Sequence, residues 1–204
     1  ETRYHLNGVL FECDGAGEAA FGRMVSTDGH RLSKCERPLA GAPRLLPGVL
    51  IPRKGLMELR RALENADGLV ELGYNQGHVF LRSRNTALSV KLNDAQFPPY
   101  EQVVPRTHER TVVANRGLLL ESLKRLVLVA SDKTYGVKLG LTKGSLRLES
   151  ENPDLGHASE ELDVEYDGKA MSIGFNARYV IDLLNEIDSN GNETLVGSIS
   201  FLSP

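Results

Sequence analysis

Residues 49–59 read VLIPRKGLMEL. Val49-Leu50-Ile51 is a short strand signal. Beyond Pro52, apolar residues recur at three- and four-residue spacing from Gly55 to Asn65, the period of a helix packed on one face. The same switch occurs twice more. Thr111-Val112-Val113 precedes a helical pattern over Leu118–Ala130, and the run from Met171 to Phe175 precedes one over Ala177–Ile187. Each junction carries an arginine: Arg53 in IPRKG, Arg116 in ANRG and Arg178 in FNAR, at intervals of 63 and 62 residues. Strand, basic junction, helix and then several strands, recurring at one period, is an internal repeat. One helix with about four strands builds sheets that carry helices on one face.

Strand signals dominate the rest. Val9–Glu12, Phe21–Ser26 and Arg31–Glu36 are apolar or alternating runs broken by Gly and Asp. Leu69–Tyr74, His78–Arg84 and Ala87–Leu92 read as a meander turning at Asn75–Gly77. Val137–Leu141 and Leu146–Glu149 read as a hairpin across Thr142–Ser145, and Leu162–Tyr166 with Met171–Phe175 as another across Asp167–Lys169. Gln96–Pro105 holds Pro98, Pro99 and Pro105, which bars it from a central strand and marks it as the linker. The expected division is therefore 1–105 and 106–204.

The composition excludes several classes. With 204 residues, 41% hydrophobic and 25% charged, the chain is an ordinary globular sequence of one or two domains. No apolar run approaches the ~18 residues of a membrane span. Cys13 and Cys35 lack zinc or redox spacing and read as thiols of a reducing cytosol, so the expected location is cytoplasmic. A start at Glu1 rather than Met reads as a processed product or a fragment.

Net charge is −3, yet its distribution is uneven. Arg53, Lys54, Arg60 and Arg61, and likewise Arg116, Lys124 and Arg125, can make positive surfaces that grip a phosphate backbone without reading sequence. Lys and Arg on helices also serve solubility alone, and spacing leaves both readings open. Eight acids lie between Glu149 and Asp167 with no Lys or Arg among them. They are either a solvated face or a docking strip for a basic partner.

Catalytic and metal chemistry find little support. In TDGHRL, Asp28 beside His30 could suggest acid–base work, but no nucleophile elbow or second carboxylate accompanies it, and a turn with a hydrogen-bonded histidine is the plainer reading. The five histidines, His5, His30, His78, His108 and His157, have no ligand spacing, and no phosphate-binding glycine loop occurs. No cofactor, metal or catalytic residue is expected.

Three stretches together carry a family resemblance. They are ETRYHLNGVLFE at Glu1–Glu12 with STDGHRLS at Ser26–Ser33, VLIPRKGLMEL with VKLNDAQFPPYEQVVP at Val90–Pro105, and DVEYDGKAMSIGFNARYVIDLLNEI at Asp163–Ile187. The sequence closely resembles the bacterial beta sliding clamp, the processivity subunit of DNA polymerase III, up to about Glu193. The resemblance implies an α+β clamp fold, antiparallel sheets outside and helices lining the inner face. It implies a non-catalytic, head-to-tail homodimeric ring around double-stranded DNA that raises processivity by tethering the polymerase. Residues 1–105 would be the middle domain without its first strand and helix, and 106–204 the C-terminal domain without its last strands.

The resemblance also assigns residues. A groove for partner peptides would be lined by Arg3, Leu6, Thr27, Gly29, His30, Arg31, Leu32, Pro98 and Val103. Its partners would be the DNA polymerase III alpha subunit and the clamp loader, through a short motif containing Gln, Leu and Phe. Leu6, Leu32, Pro98 and Val103 would form an apolar floor, and Arg3, His30 and Arg31 would supply donors. Tyr4 and His5 would reach toward DNA, joined by Arg53, Lys54, Arg116 and Lys124. Leu128 and Val129 would fall in the dimer interface, with Asp154 and Glu160 on its rim. From periodicity alone, Leu128 and Val129 read equally well as core, and Tyr4 as a strand aromatic. The alternative function is a truncated clamp-like module that binds clamp partners without encircling DNA.

Overall fold

The computed structural model describes residues 4–15, 20–39, 48–75, 77–105, 110–187 and 194–198. The chain divides into two units, Glu1–Glu101 and Gln102–Pro204. In the first, β1 (Gly8–Asp14), β2 (Phe21–Thr27) and β3 (Leu32–Pro38) form an antiparallel meander. β4 (Val49–Pro52) pairs back onto β1, giving the order β3-β2-β1-β4. Helix α1 (Arg53–Glu64) follows at once, then a second meander of β5 (Glu71–Asn75), β6 (His78–Arg82) and β7 (Ala87–Lys91). α1 packs on β1, β4 and β7 and sends Leu59 into a core with Phe11, Ile51, Val79, Leu81 and Val90.

The second unit repeats the plan. β8 (Thr111–Asn115) runs into α2 (Arg116–Val127), and β9 (Gly136–Thr142), β10 (Ser145–Asn152) and β11 (Gly156–Asp163) form the meander. β12 (Met171–Asn176) pairs back onto β9 and leads into α3 (Ala177–Glu186), while β13 (Thr194–Ser198) pairs with β8. α2 packs on β9, β10, β11 and α3, and buries Leu119, Leu120, Leu123 and Leu126 against Leu141 and Leu148. The repeat seen in the sequence thus has a physical basis. In each unit a meander is followed by a strand that pairs back on its first strand and opens a helix, β4 on β1 before α1 and β12 on β9 before α3, whereas β8, which opens α2, pairs with β13.

Helices α1 and α2 begin two residues earlier than their apolar patterns, and α3 begins at Ala177 as expected. Arg53 and Arg116 are first helical residues, and Arg178 is the second of its helix. Side-chain caps set the starts of α2 and α3: Asn115 Oδ1 accepts from the Leu118 amide at 2.9 Å and Asn176 Oδ1 from the Arg178 amide at 3.0 Å, whereas α1 follows Pro52 without one. α2 stops at Val127, short of the expected Ala130, where the Leu128 amide turns back to the Arg125 carbonyl at 3.1 Å. Gly55 in PRKG has a packing reason. A Cβ there would run into Cγ1 of Val90 on β7, so glycine alone lets the first turn of α1 lie on that strand.

One expected hairpin is overturned. Leu162–Tyr166 and Met171–Phe175 do not pair with each other. β11 pairs with β10, and β12 crosses to β9. The connecting backbone is spent elsewhere. Glu165 bridges Val113, the Val164 amide donates to Gly144, and the Tyr166 O–H donates to the Lys169 carbonyl at 2.7 Å. β11 itself, GHASEELD, was not among the expected strands, because an edge strand with little burial lacks an apolar alternation to read. Tyr4 lies in a 3-10 turn, Tyr4–Leu6, rather than a strand. Gln96–Pro105 is free of strand, as its prolines require, and makes a 3-10 turn at Tyr100–Gln102. Among the described residues, no helix is long and apolar enough to cross a membrane.

Candidate functional site

The segment TDGHRL is the β2–β3 connection, and Asp28 organises it. Asp28 Oδ1 accepts from the amides of His30 at 2.9 Å and Arg31 at 3.0 Å, and Oδ2 accepts from Arg31 Nε at 3.1 Å. Thr27 Oγ1 donates to the Arg31 carbonyl at 2.7 Å and accepts from the Gly29 amide at 3.1 Å. Gly29 sits at φ +88°, a left-handed conformation that suits glycine. Burial pushes the Asp28 carboxyl up, but the two amides and the Arg31 guanidinium outweigh it and hold the group below the usual carboxylate range. Asp28 is therefore a brace. It holds His30 through the backbone amide, and both of its carboxylate oxygens accept hydrogen bonds from the turn.

This brace brings Thr27, Gly29, His30, Arg31 and Leu32 together at one end of the β2–β3 hairpin. Gly29, His30 and Arg31 are exposed, and Thr27 and Leu32 are half-buried. Leu6, also half-buried, lies in the 3-10 turn that leads into β1. Pro98 is half-buried on the proline-rich segment. Val103 is 52% exposed and belongs to the second unit. Arg3 lies outside the described residues, and of Tyr4 only the backbone is described.

The three junction arginines have different fates. Arg53 and Lys54 are exposed in the first turn of α1, which contains no acid. Two cations at the positive end of a helix are unfavourable for the helix alone, and a nearby anion would relieve them. Farther along, Arg60 pairs with Glu64 at 2.8 Å and Arg61 with Glu58 at 3.1 Å, so those charges are balanced on the helix surface. Arg116 is half-buried and donates Nε to the Leu184 carbonyl at 2.6 Å, tying α2 to α3. Arg178 stacks on the Tyr135 ring, 3.4 Å from its centroid. Lys124 is exposed and paired with Glu121 at 2.9 Å, and His5 is half-buried.

At the far end of α2, Leu128 is 77% exposed, so it is not core, and Val129 is half-buried. Asp154 is exposed in the β10–β11 turn. Glu160 on β11 takes both Nε and Nη2 of Arg125 at 2.6 Å each. Arg125 foremost, with help from Ser122 and against burial, holds Glu160 down at about 2. Because its folded value lies below the ordinary 4.5, the pair contributes stability above that pH, which is lost as pH falls toward about 2. Acid unfolding of the chain is expected to steepen in that window, and Glu160→Gln to flatten it. Urea midpoints measured from pH 5 to 2 check this, and an unchanged slope would contradict it.

Sequence reasoning overlooked Arg23, Glu12 and Tyr100, which join β1, β2 and the proline-rich segment. The signal available was a tyrosine, FPPY, inside an otherwise polar and proline-rich run. An open pocket of about 590 Å³ in the second unit, lined by Lys138, Glu149, Glu151, His157 and Asn176 among others, contains none of the expected site residues.

Residues 1–99 match the family model of the DNA polymerase III beta subunit central domain, and residues 101–196 match that of its C-terminal domain. The antiparallel α+β units are those of the DNA clamp fold. The chain belongs to the DNA polymerase III beta subunit family, the bacterial beta sliding clamps. It is 37% identical over 187 residues to the beta sliding clamp of Pseudomonas aeruginosa, covering 92% of this chain and 50% of that one. It is 35% identical over 203 residues to that of Escherichia coli, covering 98% and 54%. A crystal structure of the Pseudomonas aeruginosa DNA polymerase sliding clamp with ligand superposes with a TM-score of 0.89 at 37% identity, over 98% of this chain and 53% of that chain. The Thermotoga maritima DNA polymerase III beta subunit superposes at 0.86 with 29% identity, over 95% and 50%. The chain spans about half the length of the curated relatives it matches.

Proposed function

We propose that this chain carries the partner-binding and DNA-facing part of a cytoplasmic sliding clamp, with residues 1–105 as its middle domain and 106–204 as its C-terminal domain. The protein performs no chemistry. The full-length parent would close as a head-to-tail ring on duplex DNA, through Leu128 and Val129 with Asp154 and Glu160 at the rim. It would tether the polymerase alpha subunit and the clamp loader by a Gln/Leu/Phe motif, raising their effective concentration at the template. The observation that carries the reading is the Asp28-braced turn, which sets exposed His30 and Arg31 beside half-buried Leu32. Fluorescence-polarisation titration of a labelled peptide bearing that motif tests it.

DNA contact is expected to be electrostatic and indifferent to sequence. Arg53→Ala with Lys54→Ala is expected to weaken binding equally on two unrelated duplexes and to reduce the log–log salt slope by about 2, close to 0.9 per lost contact. A loss confined to one duplex would contradict backbone tracking. Peptide binding with no salt-dependent DNA binding at all would favour a partner-binding module that does not encircle DNA.

A further inference from the structure

The segment that supplies Pro98 is held to the first unit by a side chain rather than by strand pairing. Tyr100 is 6% exposed. Its O–H donates to Glu12 Oε2 on β1 at 2.8 Å and its oxygen accepts from Arg23 Nη1 on β2 at 2.9 Å. Arg23 Nε donates to Glu36 Oε1 on β3 at 2.6 Å, and its Nη1 lies 3.5 Å from Glu12 and 4.0 Å from Glu101. One guanidinium thus ties three strands and the proline-rich segment together. Pro98 is coupled directly to this anchor, because its carbonyl accepts from the Tyr100 amide at 2.7 Å. Phe97 packs edge-on against the Tyr100 ring at 6.4 Å.

The electrostatics fit a fixed anchor. Burial disfavours the Arg23 charge, but the bonds to Glu36 and Tyr100 outweigh it and hold the guanidinium above its ordinary value. Burial and Glu12 push the Tyr100 phenol up, against Arg23, so it stays a neutral donor. Tyr100 is buried but lies outside the apolar cluster that contains Phe11, Ile51, Leu59, Val79, Leu81 and Val90, and Arg23 is half-buried outside it too. Their hydrogen bonds therefore tie the segment around Tyr100 to β1, β2 and β3 from outside that cluster.

We infer that Arg23 and Tyr100 are positioning residues of the partner-peptide groove, which hold its Pro98 wall against the hairpin that bears Leu32 without touching the peptide. This rests on the groove reading above. Tyr100→Phe keeps the ring and loses the hydroxyl. It is expected to weaken a labelled Gln/Leu/Phe peptide about two- to tenfold, the range of one net hydrogen bond. Amide exchange is expected to quicken at Phe97, Tyr100 and Glu101 and to stay unchanged in β1 and β2. Arg23→Lys keeps the charge but cannot serve Glu36 and Tyr100 together, and is expected to lose a similar factor.

A double-mutant cycle separates positioning from general destabilisation. If Tyr100 acts through Pro98, then Tyr100→Phe combined with Pro98→Ala binds no more weakly than the poorer single variant. Multiplied losses, or wild-type affinity in both Tyr100→Phe and Arg23→Lys, would overturn the inference. Leu32→Asp is run alongside. If it loses the peptide while the anchor variants keep it, the positioning role alone is wrong. If it keeps the peptide, the groove itself is wrong and the positioning role falls with it.

Discussion

Leu32→Asp is expected to abolish binding of a Gln/Leu/Phe peptide while leaving the fold intact. Leu32 opens β3 opposite Thr27 and is half-buried, immediately after the Asp28-braced turn. A bound peptide would bury its two apolar side chains there, a gain of roughly 1.5–3 kcal/mol each. A carboxylate in that contact removes the gain and adds the cost of burying an unpaired charge, so the affinity falls by more than about a hundredfold. The fold survives because Leu32 lies outside the apolar core of the unit. His30→Ala is milder, since a partly solvated hydrogen bond contributes about 0.5–1.5 kcal/mol. Polarisation titrations, with circular dichroism to verify folding, make the comparison. Unchanged affinity in a folded Leu32→Asp chain would remove Leu32 from the groove.

Gly55→Ala is expected to destabilise the first unit, the opposite of the usual sign. In an exposed helix, replacing Gly by Ala gains up to about 1 kcal/mol. Here the added methyl meets Val90, which is 7% exposed and part of the core. Valine cannot rotate away cheaply, because its two γ-carbons leave few allowed χ1 values. Overpacking of this kind costs about 1–3 kcal/mol. Val90→Ala alone leaves a cavity, and in the double variant the two errors compensate, so the urea midpoints are expected to be non-additive. A Gly55→Ala chain as stable as its parent would mean that α1 does not rest on β7 at Gly55.

How much of this was legible in the sequence follows from what each element does. The switches at Arg53, Arg116 and Arg178 were readable, because a short paired strand and the amphipathic helix that follows it leave contrasting apolar periods. β11 was not, since an edge strand with the burial of GHASEELD carries no such contrast. The false hairpin between Leu162–Tyr166 and Met171–Phe175 arose because turn chemistry at Asp167-Gly168 marks a reversal without saying which strand receives the chain. At the candidate site, TDGHRL announced a turn by its Asp-Gly pair. The role of Asp28 as a brace depends on amides two and three residues on, a local geometry that spacing allows but does not require. The Arg23–Tyr100 link joins positions 77 residues apart, and nothing local in either stretch points to the other.

The most direct test of the groove is an amide chemical-shift map of the isotope-labelled chain during titration with the Gln/Leu/Phe peptide. The account predicts saturable shifts at Thr27, Gly29, His30, Arg31 and Leu32, at Leu6, and at Phe97, Tyr100 and Glu101. Shifts confined to other surfaces, such as the pocket lined by Lys138, Glu149 and Asn176, would contradict it.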